Sequence, residues 1–207
     1  MMTKAYKFYY KIFAGFFGFW YNIKVVGKEN IPEEDGFLVC ANHYSATDPI
    51  KISYAFRGHQ VHYMAKKELF KIPILKPLIK TLGAFPVDRS RADVGAIKYM
   101  LKLLESGESA AMFPQGTRHP EEDPRGTAVK TGAGMISAKT NATVVPVFLH
   151  QKNFKHRSFR RATVVIGKPI PFSEFGYDPA VQGEYARISN EIFDRICKVG
   201  EEAEFLK

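Results

Sequence analysis

Phe37-Leu38-Val39-Cys40-Ala41-Asn42-His43-Tyr44-Ser45-Ala46-Thr47-Asp48-Pro49 runs from an apolar stretch into a polar turn that closes on an acid and a proline. Residues 37–40 read as a buried strand, because consecutive apolar side chains leave neither face for water. Asp48-Pro49 reads as an N-cap followed by the first helical position, where a missing N–H does no harm. The stretch is therefore a strand, a turn and a helix start. A histidine just past the C-terminal end of a strand stands where α/β sheets carry their sites. On a continuous helix His43 and Asp48 would be about 140° apart, so they meet only if the chain turns between them. Ser45 and Thr47 favour such a turn. Two readings follow. In one, Asp48 holds His43 in a single tautomer as a general base. In the other, Asp48 merely caps a helix and His43 hydrogen-bonds locally.

Outward from this unit the same alternation repeats. Residues 23–26, 61–64, 84–87, 110–113, 143–149 and 163–166 are short β-rich runs. Residues 93–105 carry Val94, Ile97, Met100, Leu101 and Leu104 at helical spacing, and Gly107 ends them. Residues 132–139 read as a helix. From Tyr185 onward, Ile188, Ile192, Ile196 and Val199 mark an amphipathic closing helix. Strands alternating with helices give the fold class: α/β, a single layered domain with a mixed sheet flanked by helices. The 207 residues suit one core. We divide the chain into residues 1–22, an N-terminal amphipathic membrane-interface helix, and residues 23–207, the layered domain.

The interface reading rests on composition. Ten of the 28 aromatic residues lie between Tyr6 and Tyr21, while Lys4, Lys7 and Lys11 share the opposite helical face. The alternative is a helix packed on the domain's own core. At about 24 Å for 16 residues, residues 6–21 fall short of the roughly 30 Å hydrocarbon core, and no cleavage site follows them.

Two more strand ends carry polar groups. Phe113-Pro114-Gln115-Gly116-Thr117-Arg118 offers a glycine for close backbone approach, a hydroxyl and a planar cation that suits phosphate. Gly83-Ala84-Phe85-Pro86-Val87-Asp88-Arg89 ends in a second arginine. With His43 and Asp48 these fit one pocket for a phosphorylated substrate; pairing of the arginines with acids such as Asp88 is the structural alternative.

Together these blocks resemble the glycerophospholipid acyltransferase family, in particular bacterial 1-acyl-sn-glycerol-3-phosphate acyltransferases. Asn42-His43 and Asp48 match the catalytic block, 83–89 the second and 113–118 the third. Val145-Pro146-Val147, preceded by Lys130-Thr131-Gly132, matches the fourth. Four ordered blocks over residues 42–147 are far more specific than one. The resemblance implies acyl transfer from acyl-CoA or an acyl carrier protein thioester to the free hydroxyl of lysophosphatidic acid, giving phosphatidic acid for phospholipid synthesis. It implies His43 as base and Asp48 as its orienting acid. The substrate-binding set is Asn42, Arg89, Gln115, Gly116, Thr117, Arg118 and Lys130, with backbone N–H groups around Gly116 facing the oxyanion. No metal and no cofactor is expected. Peripheral attachment to the cytoplasmic face of the cell membrane follows from the same resemblance. One departure stands out: the family usually has glutamate where this chain has Gln115. That substitution is the sole support for a catalytically silent lipid-binding relative, or for a different lysolipid acceptor.

The net charge of +9 favours anionic partners. Residues 152–161 hold five basic side chains besides His156, interleaved with Phe154 and Phe159. An anionic membrane surface is the simpler partner for them, and no nucleic-acid recognition motif is present. Lys66, Lys67, Lys71, Lys76 and Lys80 extend that surface or receive an acidic carrier protein. Cys40 and Cys197 show no metal spacing and read as reduced core thiols. His59 and His62 lack a third ligand and read as edge residues.

Overall fold

A computed structural model describes residues 6, 18–20, 22–88, 93–155 and 157–205. Its centre is a seven-stranded sheet: β1 (Ile23–Val26), β2 (Leu38–Ala41), β3 (Val61–Lys66), β4 (Ala84–Val87), β5 (Ser109–Met112), β6 (Val144–Gln151) and β7 (Ala162–Ile166). The order is β1-β7-β6-β2-β5-β3-β4. All pairings are parallel except β6 with β7, so the sheet is mixed.

The α-helices bounded within the described residues are α1 (Asp48–Ala55), α2 (Leu75–Thr81), α3 (Val94–Glu105), α4 (Gly132–Thr140) and α5 (Glu184–Glu202). Successive strand residues face opposite sides, and the core divides accordingly. Leu38, Cys40, Val144 and Phe148 pack under the apolar stripes of α3, α4 and α5. Val39, Ala41, Val145 and Leu149 pack against Ile52, Ala55 and Phe56, from α1 and the residue after it. The central β2 is buried at every position, as a strand covered on both faces must be. Pro86, which cannot donate to a ladder, sits in the edge strand β4. Asp93 caps α3 by accepting the Ala96 N–H at 3.0 Å.

The elements anticipated from sequence beyond residue 22 are all present, with ends shifted by up to two residues. Helix α2 was not anticipated. It is short, holds two basic residues and a proline, and buries no side chain, so it shows no amphipathic signature.

The 1–22 membrane-interface helix falls mostly outside the described residues. Tyr6 is buried and its hydroxyl donates to the His59 carbonyl at 3.2 Å. A Cβ on Gly18 would come within 2.6 Å of the Tyr54 ring. Phe19, in contrast, is 78% exposed. No helix among the described residues is long and apolar enough to cross a membrane.

Because β2, β5, β3 and β4 run parallel, their C-terminal ends share one sheet edge. That edge receives His43 after β2, Phe113 after β5, Lys67 after β3 and Asp88 after β4.

Candidate active site

The turn after β2 brings His43 to Asp48. Nδ1 of His43 lies 2.9 Å from Oδ2 of Asp48. The same oxygen accepts the backbone N–H groups of Tyr44 at 2.9 Å and Ser45 at 2.7 Å. Asp48 thus reaches back into the turn rather than capping the helix it begins; Thr47 is the cap residue and makes no side-chain cap bond. The Ser45 and Thr47 hydroxyls, 2.9 Å apart, close the turn.

The other carboxylate oxygen, Oδ1, accepts from Nζ of Lys51 at 2.8 Å. That ammonium also donates to the Tyr44 hydroxyl at 2.8 Å and lies over the Tyr44 ring. Asp48 and Lys51 have no exposed surface at all. Burial pushes the Asp48 carboxyl up, but its bond to His43 and the Lys51 charge outweigh burial and hold it below the ordinary carboxylate range. Burial holds the Lys51 ammonium below its ordinary value, against the pull of Asp48, and pushes the Tyr44 phenol up. An ionised Asp48 accepts only, so His43 keeps its proton on Nδ1 and leaves Nε2 with a free lone pair.

The turn after β5 wraps the same histidine. The rings of Phe113 and His43 stack at 3.9 Å and 14°. Oε1 of Gln115 accepts the His43 backbone N–H at 2.7 Å, and its Nε2 donates to Thr127 Oγ1 at 2.7 Å. The His119 N–H donates to the His43 carbonyl at 2.8 Å. Asn42 clamps β6: its Oδ1 accepts the Leu149 N–H at 2.7 Å and its Nδ2 donates to the Leu149 carbonyl at 3.0 Å.

Gly116, Thr117, Arg118 and Lys130 form an exposed rim on this turn. Gly116 has φ of +73°, and a Cβ there would meet the Lys130 stem at 3.1 Å. Its own N–H donates within the turn, to Phe113 at 2.9 Å. Thr117 Oγ1 lies 3.2 Å from Nε2 of His119. No described carboxylate lies within 4.0 Å of Arg118 or Lys130. Arg89 lies outside the described residues. Its neighbour Asp88 pairs with Lys67 at 2.6 Å.

An apolar cavity of about 330 Å³ adjoins the turn, lined by Ala46 and Pro49 together with Ile50, Met64, Leu75 and Ile79. Among the described residues no three His, Cys, Asp or Glu side chains gather as metal ligands. His59 pairs with Asp35 at 2.8 Å and His62 faces the Gly83 carbonyl at 3.2 Å. Cys40 and Cys197 are buried free thiols.

Sequence reasoning passed over Lys51. Its i,i+3 spacing from Asp48 on α1 was the available signal. An apparently ordinary surface lysine of a helix proves to be the buried counter-charge of the site.

The model of the family described as Acyltransferase matches residues 22–150. The 1-acyl-sn-glycerol-3-phosphate acyltransferase of Bacillus subtilis is 34% identical over 160 residues, 76% of this chain and 78% of its own length. The Streptococcus pneumoniae enzyme of that name is 36% identical over 150 residues, 70% of this chain but 54% of its own length. The crystal structure of the 1-acyl-sn-glycerophosphate (LPA) acyltransferase from Thermotoga maritima superposes with a TM-score of 0.69 at 28% identity. That match covers 99% of this chain and 80% of the other.

Proposed function

The chain belongs to the acyltransferase family, and from that premise we propose that it acylates the free hydroxyl of lysophosphatidic acid, giving phosphatidic acid. The observation that carries the reading is the 2.9 Å contact of His43 with an ionised, buried Asp48, beside the turn whose exposed rim holds Arg118 and Lys130. Nε2 of His43 takes the proton of the acceptor hydroxyl as that oxygen attacks the thioester carbonyl. Asp48 stabilises the imidazolium formed, and Lys51 keeps Asp48 ionised. The C–O ester bond forms, the C–S bond breaks, and the imidazolium returns its proton to the leaving thiolate. No acyl-enzyme is required.

Arg118 and Lys130, unpaired among the described residues, stand on the rim and suit the acceptor phosphate; Arg89 is assigned there by the family motif. The cavity beside Pro49 suits an acyl chain, at a volume within the usual ligand range of about 300–1,000 Å³. Gln115 supports activity rather than silence. An amide oxygen accepts the His43 N–H as a carboxylate oxygen does, so the departure leaves the His43–Asp48 pair in place. Asn42 and Gln115 act by holding the catalytic turn. The donor is acyl-CoA or an acyl carrier protein thioester. We place the enzyme peripherally on the cytoplasmic face of the membrane, where a soluble thioester meets a bilayer lipid; exposed Phe19 supports this.

Purified protein with lysophosphatidic acid and either thioester tests the reading. Phosphatidic acid should form, and His43→Ala should abolish it with the circular dichroism spectrum unchanged. A near-normal rate in that variant rules out the base assignment, and turnover of other lysolipids alone rules out the acceptor.

A further inference from the structure

The loop joining β6 to β7 encloses a polar cavity of about 550 Å³ that shares no lining residue with the His43 turn or with the apolar cavity. Lys152, Lys155, Arg157, Arg160 and Arg161 line it, with Glu121 across. Lys155 is paired with Glu121 at 2.8 Å. Among the described residues no carboxylate lies within 4.0 Å of the other four cations. Like charges gathered without counter-charges repel, so the fold holds this cluster together by other means.

Those means are visible. Gln151 is 2% exposed. Its Nε2 donates to the carbonyls of Arg157 at 2.7 Å and Arg160 at 3.0 Å, and its Oε1 accepts the Arg157 N–H at 3.1 Å. Phe154 anchors the loop in both halves of the core. Asn153, Phe154 and Phe159 all have φ between +48° and +58°, conformations that persist only where surroundings enforce them.

The loop also carries an exposed aromatic edge. Phe159 is 57% exposed; its N–H donates to the Trp20 carbonyl at 2.7 Å, and its ring lies 4.5 Å from that of Trp20 and 6.3 Å from that of Phe19. Trp20 Nε1 donates to Ser158 Oγ at 3.0 Å. A basic cavity alone suits any polyanion. Exposed rings beside it suit a bilayer, whose phosphates and acyl boundary lie one above the other. The cavity stands at the C-terminal end of β6, which runs parallel to β2. It therefore shares the sheet edge that carries His43.

We propose that the β6–β7 loop is a headgroup site for anionic phospholipid of the bilayer, with phosphate between Arg157, Arg160 and Arg161 and with Phe159 and Phe19 in the acyl boundary. This rests on the membrane-surface reading above and adds the residues that orient the catalytic edge toward the lipid.

The test is co-sedimentation of the full chain with phosphatidylcholine vesicles, with and without 30% phosphatidylglycerol, for wild type, the triple variant Arg157→Gln/Arg160→Gln/Arg161→Gln, and Phe159→Asn. Asparagine removes the ring yet tolerates positive φ. Each basic residue near an anionic bilayer is worth about fivefold in partitioning. The triple variant should bind anionic vesicles about a hundredfold more weakly, and Phe159→Asn should weaken binding to both vesicle types. Turnover of a water-soluble short-chain lysophosphatidic acid should be unchanged in both variants. Equal vesicle binding by wild type and triple variant overturns the proposal. So does a raised KM for the soluble acceptor, which would make the cavity the acceptor site, or binding of acidic carrier protein lost in the triple variant without loss of vesicle binding. Absence of turnover in the wild type is a separate outcome that sinks the acyl-transfer reading instead.

Discussion

Replacing Lys51 by Met removes the ammonium and keeps an apolar stem of similar length. Oδ1 of Asp48 then loses its donor, while Oδ2 keeps His43 and two backbone N–H groups. Both partners are wholly buried, so solvent screening offers no relief. Breaking a buried pair in this way costs about 3–5 kcal/mol, which for a domain of this size is a fall in Tm of roughly 10 °C. The pH dependence follows from the directions at Asp48. In the wild type the carboxyl is held low, so its contribution is present above the ordinary carboxylate range and is lost only as pH falls through its lower folded value. In Lys51→Met burial prevails and the carboxyl rises. The stability deficit should then be largest at neutral pH and shrink toward acid, where the folded variant protonates Asp48. Activity should move the opposite way: a fall in kcat of about 10- to 100-fold on the acid side of neutrality, in line with weakened acid–base catalysis, recovering as pH rises and Asp48 ionises again. Thermal melts from pH 4 to 9 and kcat profiles over the same range read both. Asp48→Asn in the Lys51→Met background should restore most of the stability and none of the activity. A Tm change under about 2 °C, or a kcat deficit independent of pH, refutes this account of the site.

Gln115→Glu should keep the bond to the His43 N–H but set a carboxylate oxygen against Thr127 Oγ1, whose proton is already given to the Pro124 carbonyl at 2.7 Å. The expected cost is about 1–2 kcal/mol, read as a Tm lowered by a few degrees with turnover retained; an unchanged Tm shows that the hydroxyl reorients freely. Gly116→Ala forces an L side chain into φ of +73° and against the Lys130 stem. It should cost about 1–2 kcal/mol and raise KM for the acceptor more than it lowers kcat; a KM within error of wild type removes the 116–118 turn from the binding rim. Asn42→Ala should cost about 2–3 kcal/mol, since it strands two buried Leu149 backbone groups, and a denaturant titration checks it.

Much of the fold was legible because strands such as β2 and β6 are buried on both faces and the longer helices are amphipathic on one. Those two patterns, apolar runs at β2 and β6 and three-or-four spacing along α3 and α5, are local properties of the chain. Helix α2 escaped because nothing in it is buried, so it leaves no periodicity to read. The His43–Asp48 pair was legible only as a possibility, since five residues of turn can place an acid against a histidine or direct it along a helix.

The residue types, their order and their place just past strand ends were written in the sequence alone, because a strand end and a helix start have local signatures. What tertiary structure decided was the meaning of side chains whose partners lie far along the chain. Gln115 meets the backbone of a residue 72 positions away, and Asn42 one 107 positions away. Lys51 became a buried counter-charge because the sheet and α1 close over it. Burial and long-range pairing depend on which surfaces the packed layers cover, and no local pattern encodes that.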